Sequence, residues 1–345
     1  MKYSGKIKAQ QDRSSGFTLA ELLVSMTVLS VLLLMLTQLL TQVQKTWTYS
    51  EARISQFREA RVAFDIITKN LSQATLHTYL DYERNSSNQV TNYKRQSELH
   101  FITMPASDLS GSNRPTHAIF FQAPLGKSDL YENLDNLFNA RGYYVEYGDD
   151  RLLKPSFIQS DPKYRFRLME YLAPAEENQI YIDGDEERLA SSKGLAVYDK
   201  WFKHNLSEFS HPLAENVIAL VVSPRESLPV SGSKLATYSA IAPDYSYDSN
   251  NVNPLYVQQA PPLVKVTMVA IDENSAIRLE EESGSASSMP TLIPANLFKS
   301  TASYNDDIED LKEELNDKRV NFKIFSTIVA IRSSKWSTTV AAGGP

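Results

Sequence analysis

The chain contains no cysteine among its 345 residues, and that absence removes several chemistries together. Disulfides, thiol catalysis, iron–sulfur clusters, cysteine zinc sites and an acylated-cysteine lipoprotein anchor are all excluded. Histidine is scarce. His77, His100, His117, His204 and His211 form no H-E-x-x-H and no i,i+4 pair, so no metal site and no catalytic role is expected of them. The sequence also lacks a G-x-S-x-G, a P-loop and a G-x-G-x-x-G, and no cofactor is expected. Proline is missing from residues 17 to 76, and between Phe17 and Leu40 the only formal charge is Glu21.

Those two absences expose what is present. Phe17–Leu40 is an apolar run of 24 residues, where a bilayer-spanning helix needs roughly 20. A carboxylate beside such a run is costly and calls for a reason. The preceding 16 residues carry Lys2, Lys6, Lys8 and Arg13 against Asp12, a net +3, within a chain of net −6. Basic residues before the run predict a cytoplasmic N-terminus and an extracytoplasmic body. The run continues into Thr41–Trp47 without the small-residue cleavage site of a secretory signal, so the anchor is expected to be retained, with Trp47 and Tyr49 at the interface. An acidic exported body without a basic, aromatic-rich patch argues against nucleic acid.

Beyond the run, Trp47, Ile54, Phe57, Phe64, Ile67, Leu71 and Ala74 recur at spacings of three, four or seven. They predict an amphipathic helix over 41–76 that continues the membrane helix. Together the two halves would form about 90 Å of nearly continuous helix. Strands are expected at Glu98–Met104, Ala118–Ala123, Tyr143–Tyr147, Tyr164–Tyr171, Asn216–Val222, Leu263–Ile271 and Val320–Ile331. Leu130–Ala140 and Ile308–Leu315 read as helices, Asp81–Gln96 as a loop, and Ser223–Gln259 and Glu280–Pro294 as long connections. Ser337–Pro345 reads as a disordered tail. The expected class is α+β, a helical spine packed on an antiparallel sheet body over 77–336.

Ser14-Ser15-Gly16-Phe17-Thr18-Leu19-Ala20-Glu21-Leu22-Leu23 resembles the type IV prepilin signature. The resemblance implies cleavage between Gly16 and Phe17 by prepilin peptidase and N-methylation of Phe17. Gly16 leaves the junction backbone accessible. Glu21 would then pair with the Phe17 ammonium of a neighbouring subunit or with its own, and the first pairing would set the stagger between subunits. A second reading has Glu21 serve its own helix, helped by the macrodipole and by snorkelling to the headgroups. The segments Leu213–Leu220, Pro261–Met268 and Phe325–Arg332 resemble the large minor pseudopilins of the J/W type. Phe120–Gly126, Asn139–Glu146, Tyr164–Glu170, Val269–Glu273 and Ser334–Ser337 are similar to the Verru_Chthon cassette protein C family. These resemblances imply a non-enzymatic subunit in the inner membrane, grouped with other pilin-like subunits in a type II secretion or type IV pilus apparatus. The alternative is a pilin-leader adhesin or cargo-binding module whose long loops recognise an exported protein or polysaccharide.

Three further features carry expectations of their own. Asp183-Gly184-Asp185-Glu186-Glu187 has acidic density that could hold Ca²⁺, but it lacks EF-hand spacing and reads as a solvated loop. Asp244–Asn251 reads as a polar loop furnished by Tyr and Asn, with contact to sugar or protein through those side chains as the alternative. Arg165 and Arg167 share one strand face, and with Glu170 they predict a surface ion-pair ladder.

Overall fold

The structure, a computed structural model, describes residues 18–109, 113–132, 134, 136–151, 153–155, 157, 158, 160–178, 201–203, 205–229, 238–250, 257–282 and 288–337. The chain divides into two compact units, Met1–Ile54 and Ser55–Pro345. Helix α1 (Leu19–Leu71) supplies nearly all the described residues of the first unit and the opening segment of the second. An apolar stretch of 30 residues, Leu19–Thr48, is long enough to cross a membrane. An N-terminal apolar helix followed by a body of antiparallel sheets makes the protein α+β.

Within the second unit, α1 buries Ala60, Ala63, Phe64, Ile67 and Leu71, a stripe at helical spacing, with Phe57 half-buried beside it. The helix stops at Leu71, short of the expected Leu76. Its end tightens through Gln73 N–H to Asn70 O and Ala74 N–H to Leu71 O, both 3.0 Å. Thr75 then donates its N–H to Gln122 O at 3.0 Å, and Ala74 and Leu76 enter the core from the irregular segment after the helix.

Two large sheets carry the body. One has six strands in the order β10 (Tyr247–Asp248), β3 (Phe101–Pro105), β4 (His117–Pro124), β5 (Phe138–Gly148), β6 (Arg165–Leu172) and β7 (Ser210–Glu215). The other has four, in the order β12 (Phe322–Ala330), β11 (Leu263–Ile271), β8 (Val217–Pro229) and β9 (Tyr238–Ala240). All pairings are antiparallel. Helices α2 (Glu273–Glu282) and α3 (Tyr304–Asp317) contribute Ala276, Leu279, Ile308, Leu311 and Leu315 to the main core. That core lies between the sheets, with Phe121, Val145 and Leu168 meeting Ile218, Leu220 and Val266.

Asn216 joins the sheets. It follows the last residue of β7 and precedes the first of β8, with φ 58°. Its N–H donates to Phe166 O in the first sheet (2.7 Å), and its carbonyl accepts from Ile271 N–H in the second (2.8 Å). Asparagine tolerates the left-handed region better than most side chains, which suits a corner where a strand changes sheets. Strand β4 is buried along almost its whole length, because its even residues reach a second core. There Ala118 and Phe120 meet Ile102, Tyr144, Tyr171, Trp201 and Phe202.

Several expectations need correction. Asp81–Gln96 is not a loop but most of a hairpin, β1 (Tyr79–Arg84) with β2 (Val90–Gln96), in which Tyr82 and Tyr93 pair directly with rings 5.2 Å apart. Its polar composition reflects exposure, not absence of pairing. Leu130–Ala140 is not a helix: Leu130 is exposed, and Phe138–Ala140 begin β5. Asn139 fixes that start by bonding Lys127 and Ala173 carbonyls. The Ser223–Gln259 connection contains the end of β8 together with β9 and β10. The Glu280–Pro294 connection begins at least three residues later than expected, since α2 runs to Glu282. The Asp183–Glu187 loop, His204 and the tail beyond Ser337 lie outside the described residues. Ser337 itself is held by Gln259, which accepts its N–H at 2.9 Å.

Candidate functional site

Thr18 and Glu21 begin α1 as a reciprocal pair. Thr18 N–H and Thr18 Oγ1–H each donate to Glu21 Oε2 at 2.9 Å, and Glu21 N–H donates back to Thr18 Oγ1 at 3.3 Å. This is the capping box, which satisfies backbone donors that an α-helix leaves orphaned at its start. The signal was present in the sequence as Thr-x-x-Glu before an apolar run, and Thr18 is the functional residue that reasoning from Glu21 alone passed over. Gly16 and Phe17, the expected processing residues, lie outside the described residues.

Past the cap, α1 exposes apolar side chains all round, among them Leu22, Val24, Met26, Val28, Leu32 and Leu36. The serine and threonine side chains bond their own helix. Ser25, Thr27, Ser30, Thr37 and Thr41 donate their hydroxyls to carbonyls three or four residues back, at 2.8–2.9 Å. A helix surrounded by hydrocarbon must satisfy its polar groups internally, and these do. Trp47 is exposed near the end of the stretch.

Residues 11–37 match the prokaryotic N-terminal methylation motif. No curated protein and no solved structure matches the chain. The motif and the apolar helix together support a type IV pilin-like precursor with a single membrane anchor. Such a motif implies processing by prepilin peptidase and assembly with other pilins.

Several of the body's buried polar side chains are tied into the structure. Trp201 Nε1–H donates to His100 Nδ1 at 3.1 Å, so His100 Nε2 carries the proton that meets Asp248 Oδ1 at 2.7 Å. Burial works against the Asp248 carboxylate, but the bonds from His100 and Asn250 N–H outweigh it and hold its pKa below the usual range. His117 bridges the sheets, with Nε2 3.2 Å from Phe298 O and Nδ1 accepting from Val222 N–H at 3.4 Å. Burial depresses its pKa to about 4. Tyr245 and Tyr247 are core residues rather than a binding surface: Tyr247 Oη donates to Gln259 O at 2.7 Å, and Tyr245 lies 4.5 Å from the His117 ring.

The expected surface ladder is also corrected. Arg165 and Arg167 are both buried. Arg165 meets Glu280 and, at 3.1 Å, Glu273, both on α2; Arg167 meets Glu215 at 3.3 Å and the carbonyls of Gly148 and Asp149. Burial disfavours the Arg165 charge, yet its two carboxylate partners prevail and raise its pKa. Glu170 instead receives Tyr143 Oη–H at 2.8 Å and lies 3.5 Å from Arg141. Among the described residues, no group of three or more histidine or acidic side chains is placed to hold a metal ion.

Proposed function

We propose that this chain is a minor pseudopilin, a non-catalytic, membrane-anchored subunit of a type II secretion or type IV pilus-like apparatus. In this reading prepilin peptidase cuts between Gly16 and Phe17 at the cytoplasmic face of the inner membrane and methylates Phe17. The body is exported. Glu21 neutralises the Phe17 ammonium of an adjacent subunit and sets the register between them. The resemblance of Leu213–Leu220, Pro261–Met268 and Phe325–Arg332 to the J/W type supports a minor rather than a major subunit. So does the run without proline from 17 to 76. The likeness to the Verru_Chthon cassette protein C family supports the same grouping.

One observation carries the reading. The methylation motif at 11–37 coincides with an apolar helix whose first turn contains the single acidic residue of the run. Mass spectrometry of the chain purified from a host with prepilin peptidase tests it, and the expected N-terminus is methylated Phe17. Replacing Gly16 by a bulky residue should leave the leader attached. An intact leader on the wild-type chain, or a cut beyond Leu40, would overturn the proposal.

A further inference from the structure

Strand β12 is the longest strand at any margin of the two large sheets. In an antiparallel ladder, residues that bond the neighbour alternate with residues whose N–H and C=O point away. Two bonds fix that phase here: Asp272 N–H to Asn321 O at 3.1 Å, and Ile331 N–H to Pro262 O at 3.0 Å. Odd-numbered residues of β12 therefore face β11. Phe322, Ile324, Ser326, Ile328 and Ala330 aim their backbone groups out of the sheet, where no backbone partner meets them among the described residues.

Proteins blunt such edges with short strands, proline, bulges or charge. The other three margins follow that rule. β10 has two residues, β9 has three, and β7 contains Pro212. β12 has nine residues, no proline, an unbroken register with β11, and one charge, Lys323. Ser326, Thr327, Ile328 and Ala330 are exposed. Phe325 packs on Phe64 of α1 with rings 5.8 Å apart, so the helix covers a face of this sheet while the edge has no strand partner among the described residues.

We propose that the β12 edge pairs with the same edge of a second copy of this chain, as an antiparallel strand pair centred on Ser326. The strand suits itself. In the register that places Ser326 opposite Ser326, all five outward residues fall opposite one another: Phe322 with Ala330, and Ile324 with Ile328. Large meets small in the first pair, and β-branched side chains meet in the second. Lys323 falls opposite Val329, so the one charge never confronts its copy. The centre is held in place, because Ser326 Oγ lies 2.8 Å from Thr267 Oγ1, which in turn bonds Tyr304 at 2.7 Å. The contact is isologous and closes at two copies, so it differs from any contact that repeats along a filament, and it stands independently of the proposed assembly role.

The absence of native cysteine makes the test direct. The full chain carrying Ser326→Cys is oxidised mildly in membranes. Residues directly opposite in a bonded pair have Cα atoms about 5.5 Å apart, within disulfide reach. Ser326→Cys should give at least about tenfold more disulfide dimer than Ile328→Cys, whose two sulfurs would be separated by about four residues along the strand, roughly 13 Å. Coexpressed Ile324→Cys and Ile328→Cys chains should cross-link to each other. Adding Ile328→Pro to Ser326→Cys should abolish the dimer, since that N–H is one of the outward groups and β11 does not use it. Protease resistance of the body checks that this variant stays folded. Equal yields at 326 and 328, survival of the dimer in the folded proline variant, or cross-linking of Ser326→Cys only to a different protein would each overturn the proposal.

Discussion

At the scale of single residues, Gly142 shows how little room the second core leaves. It lies directly opposite Phe120 across β4 and β5, and the Phe120 ring covers it. A Cβ at 142 would overlap that ring. Phe120 cannot yield easily, because it is fully buried and stacks on Phe202 at 4.7 Å with Trp201 beyond. Gly142→Ala is expected to cost about 2–3 kcal/mol, the upper range for overpacking a filled core. Denaturant unfolding of the full chain measures this, and a change under about 0.5 kcal/mol, as at an ordinary surface site, would contradict it. The glycine was visible in the sequence. Its partner was not, because a cross-strand neighbour is set by register and nothing local to Gly142 encodes it.

At the scale of elements, α1 separates two roles that one side chain fills. A capping box accepts Glu or Gln at its third position. Glu21→Gln therefore keeps the bond to Thr18 and the helix start while removing the charge that the proposed function assigns to assembly. Leader cleavage and membrane association should be unchanged. Recovery with partner pilin-like subunits, compared by affinity purification of tagged wild-type and variant chains from membranes, should fall at least about tenfold, the effect of leaving one ammonium without its counter-ion. Equal recovery would assign Glu21 to its own helix alone. Thr18→Ala is the complementary variant: it removes the hydroxyl of the cap and keeps the charge, so assembly should survive.

At the scale of the whole molecule, the two sheets of the body are joined through Asn216 and through His117, which bonds Val222 of β8 and the carbonyl of Phe298. Protonating His117 would turn the nitrogen that accepts from Val222 into a second donor. Burial holds its folded pKa near 4, below the ordinary 6.5. As pH falls, the unfolded chain takes this proton first. The contribution is complete above about pH 6.5, declines below it, and is lost by about pH 4, amounting to about 3 kcal/mol. Carboxylates titrate in the same window, so the readout is the stability gap between wild type and His117→Gln. That gap should narrow by about 2 kcal/mol between pH 7.5 and 4.5. A gap independent of pH would rule out the mechanism.

The sequence by itself determined the anchor and most of the strands. An apolar run broken by one carboxylate, and strands such as β4 and β11 rich in Val, Ile and Phe, are local patterns with local causes. The α+β class and helix α3 followed from the same kind of signal. Partners and burial were decided only by the tertiary structure. The hairpin β1–β2 was hidden by its polarity, because pairing depends on backbone register while composition reports exposure. The helix expected at 130–140 gave way to β5, whose neighbours on both sides supply hydrogen bonds that local propensity cannot weigh. Arg165 and Arg167 alternate along β6 as expected, but α2 folds over Arg165 and brings Glu273 and Glu280 to it from more than a hundred residues away. Side-chain type and spacing set which face a residue occupies. Which element covers that face depends on chain closure over long separations, and in this protein that closure turns on Asn216, where one strand leaves the first sheet and the next enters the second.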